Sequence, residues 1–222
     1  MKDQIVFAVL PYAAVLVALA GIGCRAAGWL ERDRPEPGER RRLPGAGARR
    51  IGLAGVLLGH AVALAFPGAI VEWTRHPARL LILEGIGLAF AGLALVGVGL
   101  GVAFGLRAAQ GNGRSCDVLC ATLLGVALLS GIGVALAHRW SSTWHAATLV
   151  PYLRSLAALQ PRLELAVLMP FLVRFHVLSG FALLAFAPFY GTRRRAAGST
   201  GARGGSGPAV PQGTAGASGA PG

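Results

Sequence analysis

Five apolar segments, each long enough to cross a lipid bilayer as a helix, constrain this chain more than any other feature. A transmembrane helix needs about 20 mostly apolar residues. Lipid offers no hydrogen-bonding partner to the backbone, so an isolated apolar span must satisfy its own polar groups as a helix. The sequence therefore predicts an all-α fold, an integral membrane bundle of five transmembrane helices. The predicted spans are residues 5–24, 51–71, 80–106, 117–137 and 165–190.

Composition agrees with a membrane bundle and argues against a soluble enzyme. Of the 222 residues, 54% are hydrophobic and 14% are charged, whereas about 25% of residues are charged in a typical soluble domain. The net charge of +12 does not indicate a nucleic-acid-binding protein, because the positive residues lie mainly in the segments that connect the spans. We expect those segments to contact anionic membrane lipid or a cytoplasmic partner subunit.

The positions of the positive residues predict how the bundle is oriented. Fourteen of the 21 lysines and arginines lie in residues 25–50, in residues 107–116 and after residue 190. These segments fall on one side of the predicted bundle, and the other seven positive residues fall on the opposite side. Because cytoplasmic loops carry the excess of Lys and Arg, we expect the N-terminus outside and the C-terminus inside.

The chain divides into a membrane domain and a tail. Residues 1–192 are expected to form the five-helix domain, and residues 193–222 a cytoplasmic tail. The tail is rich in Gly, Ala, Ser and Pro, so it cannot bury a core and is expected to be disordered. The polar segment 31–50 contains three prolines and is expected to be irregular. On the outer side, an interfacial belt is expected from the aromatic residues Trp140, Trp144 and Tyr152.

The cysteines do not indicate a metal or haem attachment motif. The sequence contains no CxxCH and no CxxC pair, which argues against covalent c-type haem and against a zinc or iron–sulfur site. All three cysteines fall near the predicted inner face, so we expect reduced thiols. They are Cys24, Cys116 and Cys120.

Two of the five histidines lie inside predicted spans. His60 is in the second span, about 15 Å from its inner end, and His176 is at a similar depth from the outer end of the fifth. The two spans run antiparallel, so their imidazoles could meet at one level. Ionisable residues inside a membrane are costly and usually mark function. The three remaining histidines fall near the outer edge, where we expect no cofactor role: His76, His138 and His145.

The paired histidines allow two interpretations. Histidines from two helices at one depth suit the two axial positions of a b-type haem. The alternative is that each histidine only makes a hydrogen bond between helices. Glycines near both histidines are compatible with either, because small residues let a flat macrocycle approach and also let helices pack closely. These glycines are Gly52, Gly55 and Gly59 in the second span and Gly180 in the fifth.

Four stretches of the sequence resemble the gamma subunit of respiratory nitrate reductase. They are LPYAAVLVALAGIGCRAAGW near the start, IGLAGVLLGHAVAL at residues 51–64, VPYLRSLAALQP at residues 150–161, and MPFLVRFHVLSGFALLAFAPF at residues 169–189. Asp117, at the start of the fourth span, fits the same family. The resemblance covers residues 5–190 in order.

The resemblance implies a membrane cytochrome b subunit of a prokaryotic cytoplasmic membrane, in the orientation expected above. Members of that family carry two haems and oxidise quinol near the outer face. Electrons then pass through an outer and an inner haem to the iron–sulfur subunit of a cytoplasmic molybdoenzyme. His60 and His176 match the pair that holds the outer haem. The chain itself is expected to contain no complete active site.

The sequence departs from the family at the inner haem. The positions that match its two ligands are Arg50 and Arg194. Arginine stays protonated and offers no lone pair to iron. We therefore expect one b-type haem, held by His60 and His176, in a subunit that exchanges electrons between the quinone pool and partner redox subunits. The alternative function is a haem-free membrane anchor or assembly subunit of a redox complex.

Two carboxylates near the outer face are candidates for proton transfer. Glu84, near the outer end of the third span, could accept a proton from quinol, and Glu72 is a second candidate. The alternative is that these carboxylates only face lipid headgroups or pair with Arg75 and Arg79. A transporter is disfavoured, since neither a broken helix nor an internal repeat is evident.

Overall fold

The computed structural model describes residues 5–32, 45–107, 115–138 and 144–194. Within these residues, five helices are long and apolar enough to cross a membrane, which confirms the predicted all-α membrane bundle. The five helices are α1 (Leu10–Ala26, continuing a π-helical turn at Ile5–Val9), α2 (Ala46–Ala65), α4 (Pro77–Arg107), α5 (Ser115–Ala137) and α8 (Phe171–Phe186).

Shorter elements connect the spans or follow them. Three are helices: α3 (Pro67–Trp73), α6 (Val150–Ala157) and α7 (Leu163–Val167). A π-helical turn at His145–Leu149 precedes α6, and a 3₁₀ turn at Ala187–Phe189 follows α8. Two three-residue strands, β1 (Leu30–Arg32) and β2 (Thr192–Arg194), form a small antiparallel ribbon.

Prolines explain why two predicted spans have different bounds in the structure. The predicted second span, 51–71, is broken at Phe66, whose backbone leaves the helical region at φ −124° and ψ 54°. Pro67 follows it and starts α3, because proline disfavours the α conformation in the residue before it and is well placed in a first helical turn. The predicted fifth span, 165–190, begins too early in the same way. Its helix starts at Phe171, directly after Pro170.

The five spans pack in the order α2, α4, α5, α8, α1. The contact between α2 and α4 is made by backbones at two glycines. A Cβ placed at Gly52 would collide with the backbone of Ala94, and one placed at Gly97 would lie 2.7 Å from the Cα of Arg49. Lipid is as apolar as a side chain, so close backbone packing at small residues is a main source of attraction between spans.

A buried cluster at one end of the bundle joins α6 and α7 to the spans. Tyr152 has no exposed surface and donates its hydroxyl hydrogen to the carbonyl of Phe7 at 2.6 Å. Burial, followed by the neighbouring Tyr12, raises the pKa of Tyr152 to about 12. The prediction that Tyr152 belongs to an interfacial belt is therefore wrong, because its ring is enclosed by the protein. Trp144 is half-buried, and Trp140 lies outside the described residues.

Side chains tie together the C-terminal ends of α1 and α8 and the N-terminal end of α5. The guanidinium of Arg25 donates to the carbonyl of Tyr190 at 3.0 Å. The backbone N–H of Gly191 donates to a carboxylate oxygen of Asp117 at 2.7 Å. The thiol of Cys120, which is buried, donates to the carbonyl of Phe186 at 3.4 Å. The chain therefore leaves α8 along a defined path into β2.

The expectation of an irregular segment 31–50 is wrong at both of its ends. Residues 31 and 32 belong to β1, and the helix α2 already begins at Ala46. Residues 33–44 lie outside the described residues, as does the predicted tail from residue 195 onward. The first two residues of that tail, 193 and 194, are in β2.

Candidate functional site

The structure brings the two histidines of the predicted spans together. His60 lies five residues before the end of α2 and His176 five residues after the start of α8, which places each about 8 Å from that end of its helix. They therefore lie nearer these helix ends than we predicted. Their ring centroids are 6.0 Å apart, with the ring planes inclined by 41°. The common depth expected from the antiparallel spans is confirmed.

The ring of His60 is oriented by its own helix. Its Nδ1 lies 2.8 Å from the carbonyl oxygen of Val56, one turn earlier in α2. A carbonyl can only accept, so Nδ1 carries the hydrogen and donates it. In a neutral imidazole, this leaves the lone pair on Nε2.

His176 is held by α5. Its half-buried ring lies over Gly131, where a Cβ would come within 2.9 Å of the ring carbon Cε1. Its Nδ1 is 3.1 Å from the hydroxyl oxygen of Ser130. Ser179, one turn further along α8, donates its hydroxyl hydrogen to the carbonyl of His176 at 2.7 Å. Both serines are buried. Ser130 and Gly131 on α5 contact the ring itself, whereas Ser179 contacts only the backbone of the histidine.

The two imidazoles are close enough that they would hold one metal ion, such as the iron of a haem, between them. Bonds between a metal ion and an imidazole nitrogen are about 2 Å long, so two imidazoles that share one metal ion would have ring centroids at most about 6 Å apart. The observed separation is 6.0 Å. A Cβ at Gly59 or at Gly180 would have no neighbouring atom within 4 Å, so no described neighbour packs against either glycine.

The other two glycines of the second span serve helix packing. Gly52 lies against the backbone of Ala94, and a Cβ at Gly55 would collide with the ring of Phe90. Both neighbours belong to α4. At these two positions the packing interpretation is therefore correct, and only Gly59 and Gly180 leave room beside the histidines.

The positions that match the family's inner haem ligands do not fit a haem. Arg50 is exposed near the start of α2. Arg194 lies beyond the end of α8, in β2, where it is paired with Leu30. Arginine offers no lone pair to iron. Of the two positions, only Arg50 lies on a spanning helix.

The acidic candidates and the remaining histidines lie elsewhere around the same end of the bundle. Glu72 forms an exposed ion pair with Arg75 at 3.0 Å, which confirms the surface interpretation for that carboxylate. Glu84 is half-buried on α4. His145 is half-buried, and its pKa is lowered first by burial and then by the nearby His60. A third imidazole thus lies near the histidine pair. Of the other two, His76 is exposed and His138 contacts Trp144.

Comparison with protein families decides the relationship. A family model described as the nitrate reductase gamma subunit matches residues 3–193. The chain belongs to the nitrate reductase gamma subunit family. No individual curated protein matches it. Gamma subunits are membrane electron-transfer subunits of the cytochrome b type that associate with other nitrate reductase subunits. The resemblance read from the sequence is thereby confirmed, together with the membrane location.

Sequence reasoning missed the groups that orient the two histidines. Val56 acts through its backbone, which every residue has, so no residue type could reveal it. Ser130 lies 46 residues before His176, and a serine in an apolar span carries no signal of its own. Even where the length of a transmembrane helix is predicted correctly, its sequence does not show which of its faces packs against another helix.

Proposed function

We propose that this gamma subunit carries one b-type haem between His60 and His176 and exchanges electrons with the quinone pool. The observation that carries the proposal is the separation of the two imidazoles, 6.0 Å between ring centroids at one depth in the bundle. A bound haem supplies one-electron transfer at that level. The residues of this chain supply two imidazole nitrogen donors, with the small residues Gly59 and Gly180 nearby on the same two helices.

The location of the pair supports quinol as the electron donor. Both histidines lie about one and a half turns from the outer ends of their helices, close to where a quinol headgroup resides in the membrane. In the orientation we propose, with the N-terminus outside and the C-terminus inside, this is the outer face. The excess of positive residues at the other end of the bundle supports that orientation.

We propose one haem instead of the two that the family resemblance implies. Arg50 and Arg194 replace the inner ligands, and α8 ends at Phe186, before position 194 is reached. An electron at the outer level is then far from a cytoplasmic acceptor. The redox partner, an iron–sulfur or molybdoenzyme subunit, would have to approach from the outer side or bring a cofactor of its own to bridge the span.

The experiment is a count of haem b per polypeptide in the purified, detergent-solubilised protein, by the pyridine haemochrome spectrum. His60→Ala and His176→Ala remove one ligand each. His76→Ala is the matched control, because His76 is exposed in the turn between α3 and α4. We expect one haem in the unsubstituted protein and in the control, and none stably bound in either ligand variant.

Other counts would change the proposal in distinct ways. Two haems per chain would show that the inner site is built from residues other than Arg50 and Arg194, and the inward electron path would survive. If haem is still bound in both ligand variants, its ligands are residues other than His60 and His176. Absence of haem from the unsubstituted protein would leave the haem-free anchor as the function, with the histidines joined only by packing and hydrogen bonds.

A further inference from the structure

Ser130 is a buried polar side chain in the apolar middle of α5, with 6% of its surface exposed. Its hydroxyl has two partners that define its role. The hydrogen is donated to the carbonyl of Ala127 at 3.1 Å. The oxygen lies 3.1 Å from Nδ1 of His176, on the neighbouring helix. A hydroxyl has one hydrogen to donate and can accept through its oxygen at the same time.

These two contacts together favour one tautomer of His176. The carbonyl of Ala127 can only accept, so its bond to Ser130 at 3.1 Å forms only when the serine hydrogen is donated there. The bond to the histidine is then donated by Nδ1–H, which leaves the lone pair on Nε2. The carbonyl of Ala127 also interacts with the His176 ring, and it can only accept. In the opposite tautomer, the serine would lose its bond to Ala127 and Nε2 would carry a hydrogen.

Ser179 is a more distant acceptor for the Ser130 hydrogen than the carbonyl of Ala127, at 3.5 Å against 3.1 Å. Its own hydroxyl donates to the carbonyl of His176 at 2.7 Å, and its oxygen is 3.5 Å from that of Ser130. Ser179 therefore touches the backbone of the histidine, whereas Ser130 touches the ring. The two buried serines lie in one small cluster but act on different parts of the same residue, which makes them a matched pair for mutagenesis.

We propose that Ser130 is a positioning residue that keeps Nδ1 of His176 protonated, so that Nε2 is free to bind haem iron, and that this bond adjusts the redox potential of the site. The inference rests on the haem site proposed above and adds to it the group that prepares one ligand. Hydrogen bonds from the outer nitrogen of a ligating histidine fix its tautomer and ring orientation and raise its basicity as a ligand.

The expected consequence is a shift in potential rather than a loss of haem. A more basic ligand favours the ferric state, so removal of the acceptor favours the ferrous state. For Ser130→Ala we expect the ratio of ferrous to ferric haem, at the midpoint potential of the unsubstituted protein, to rise about threefold. For a one-electron couple this corresponds to a midpoint potential about 28 mV higher.

The test is a potentiometric titration of the haem absorbance in the purified full chain, with the electron paramagnetic resonance g-values of the ferric form as a second readout. Ser130→Cys keeps the shape of the side chain with a weaker acceptor and should shift the potential less than Ser130→Ala. Ser130→Cys also provides a test of the proposal if Ser130→Ala does not fold. Ser179→Ala removes the other buried hydroxyl and should leave the potential unchanged.

Each result decides the proposal. A higher potential in Ser130→Ala, with a smaller rise in Ser130→Cys and none in Ser179→Ala, supports it. Equal shifts in both alanine variants would overturn it in favour of general packing by the serine cluster. Bound haem with an unchanged potential in Ser130→Ala would overturn it while leaving the haem site intact. Absence of haem from the unsubstituted protein would overturn the proposed function as well.

Discussion

Gly131 shows how a single missing side chain shapes the site at the scale of one residue. The ring of His176 occupies the space that a side chain on α5 would take, with Cε1 2.9 Å from the position of a Cβ. Real Cβ atoms essentially never approach other atoms so closely, so any larger residue at position 131 must move the ring or the helix. The glycine is therefore required by the imidazole and not by the backbone of α5.

We predict that Gly131→Ala lowers haem occupancy, because the added methyl group displaces the His176 ring from its observed position relative to His60. Overpacking of this kind typically costs about 1–3 kcal/mol. Gly125→Ala is the control, since a Cβ there has no neighbour within 4 Å on the same helix. The measurement is the haem content of both variants at equal protein concentration. Full occupancy in Gly131→Ala would show that the bound ring does not lie over Gly131.

The histidines themselves are the residues that sequence analysis found most readily. An imidazole in a span is expensive and rare, so its presence in two predicted spans pointed to a function before any contact was known. His145 escaped the same reasoning. It lies outside the spans, where a histidine costs little, and its proximity to His60 comes from the way the turn at His145–Leu149 packs back onto α3.

At the scale of elements, glycines decide which helices touch. The glycines of α4 are numerous, but they are not equivalent. A Cβ at Gly97 would lie 2.7 Å from the Cα of Arg49 on α2, whereas one at Gly99 would have no neighbour within 4 Å. Of these two positions, only Gly97 packs against α2. This contact holds the N-terminal end of α2, the helix that carries His60, against α4.

We predict that Gly97→Ala lowers the thermal stability of the detergent-solubilised protein by about 1–3 kcal/mol, because the methyl group separates the two helices. Gly99→Ala should leave stability unchanged or raise it, since alanine is favoured over glycine in a helix by about 1 kcal/mol. Thermal unfolding followed by circular dichroism compares the two. Equal stability of both variants would mean that α2 does not pack against α4 at Gly97.

The inner end of α8 gives a second prediction at this scale. Substitution of both arginines, Arg50→His and Arg194→His, restores the residue types that bind iron but not their placement. Position 194 remains in β2, paired with Leu30, after a helix that ends at Phe186. We expect the double variant to bind no more haem than the unsubstituted protein.

The same pyridine haemochrome assay measures that outcome, with the single variant Arg50→His as the comparison. An additional haem in the double variant, absent from the single one, would show that the two positions can meet across the bundle. In that case, residue type alone would account for the missing inner haem, and the ribbon between β1 and β2 would have to rearrange to admit it.

At the scale of the whole molecule, the distribution of charge along the sequence predicts the orientation. Two thirds of the positive residues fall in residues 25–50, in residues 107–116 and after residue 190. The tied ends of α1, α5 and α8, at Arg25, Asp117 and Gly191, adjoin these segments. The histidine pair lies toward the opposite ends of its two helices, so the candidate cofactor site and these tied helix ends are at opposite ends of the bundle.

We predict that the face with the positive residues is cytoplasmic. A fluorescent protein fused at the C-terminus should fluoresce, and alkaline phosphatase fused at the same site should be inactive. The control is a pair of fusions after His76, in the turn at the opposite end, where the phosphatase should be active. An active phosphatase fusion at the C-terminus would show that the orientation is the opposite one, with the histidine pair near the cytoplasm.

The sequence by itself determined that the chain is a five-helix membrane protein, which family it resembles, and which two histidines lie inside spans. These conclusions follow from apolar length, from the cost of an imidazole in lipid, and from motifs in chain order. The correct bounds of two spans were established only by the structure, although Pro67 and Pro170 mark them in the sequence. The burial of Tyr152 has no such signal in the sequence, because an aromatic ring suits a membrane interface and a protein core equally well.

Only the tertiary structure decided which groups surround the histidines. The contacts of His176 with Ser130 and Gly131 join residues more than forty positions apart. Gly52 packs against α4 whereas Gly59 does not, and this difference depends on where α4 lies in the bundle. A span that is apolar on all sides gives no sign of which side meets its neighbour. The physical reason is that lipid-facing and helix-facing surfaces are equally apolar, so the choice is made by shape, and shape exists only once the helices are assembled.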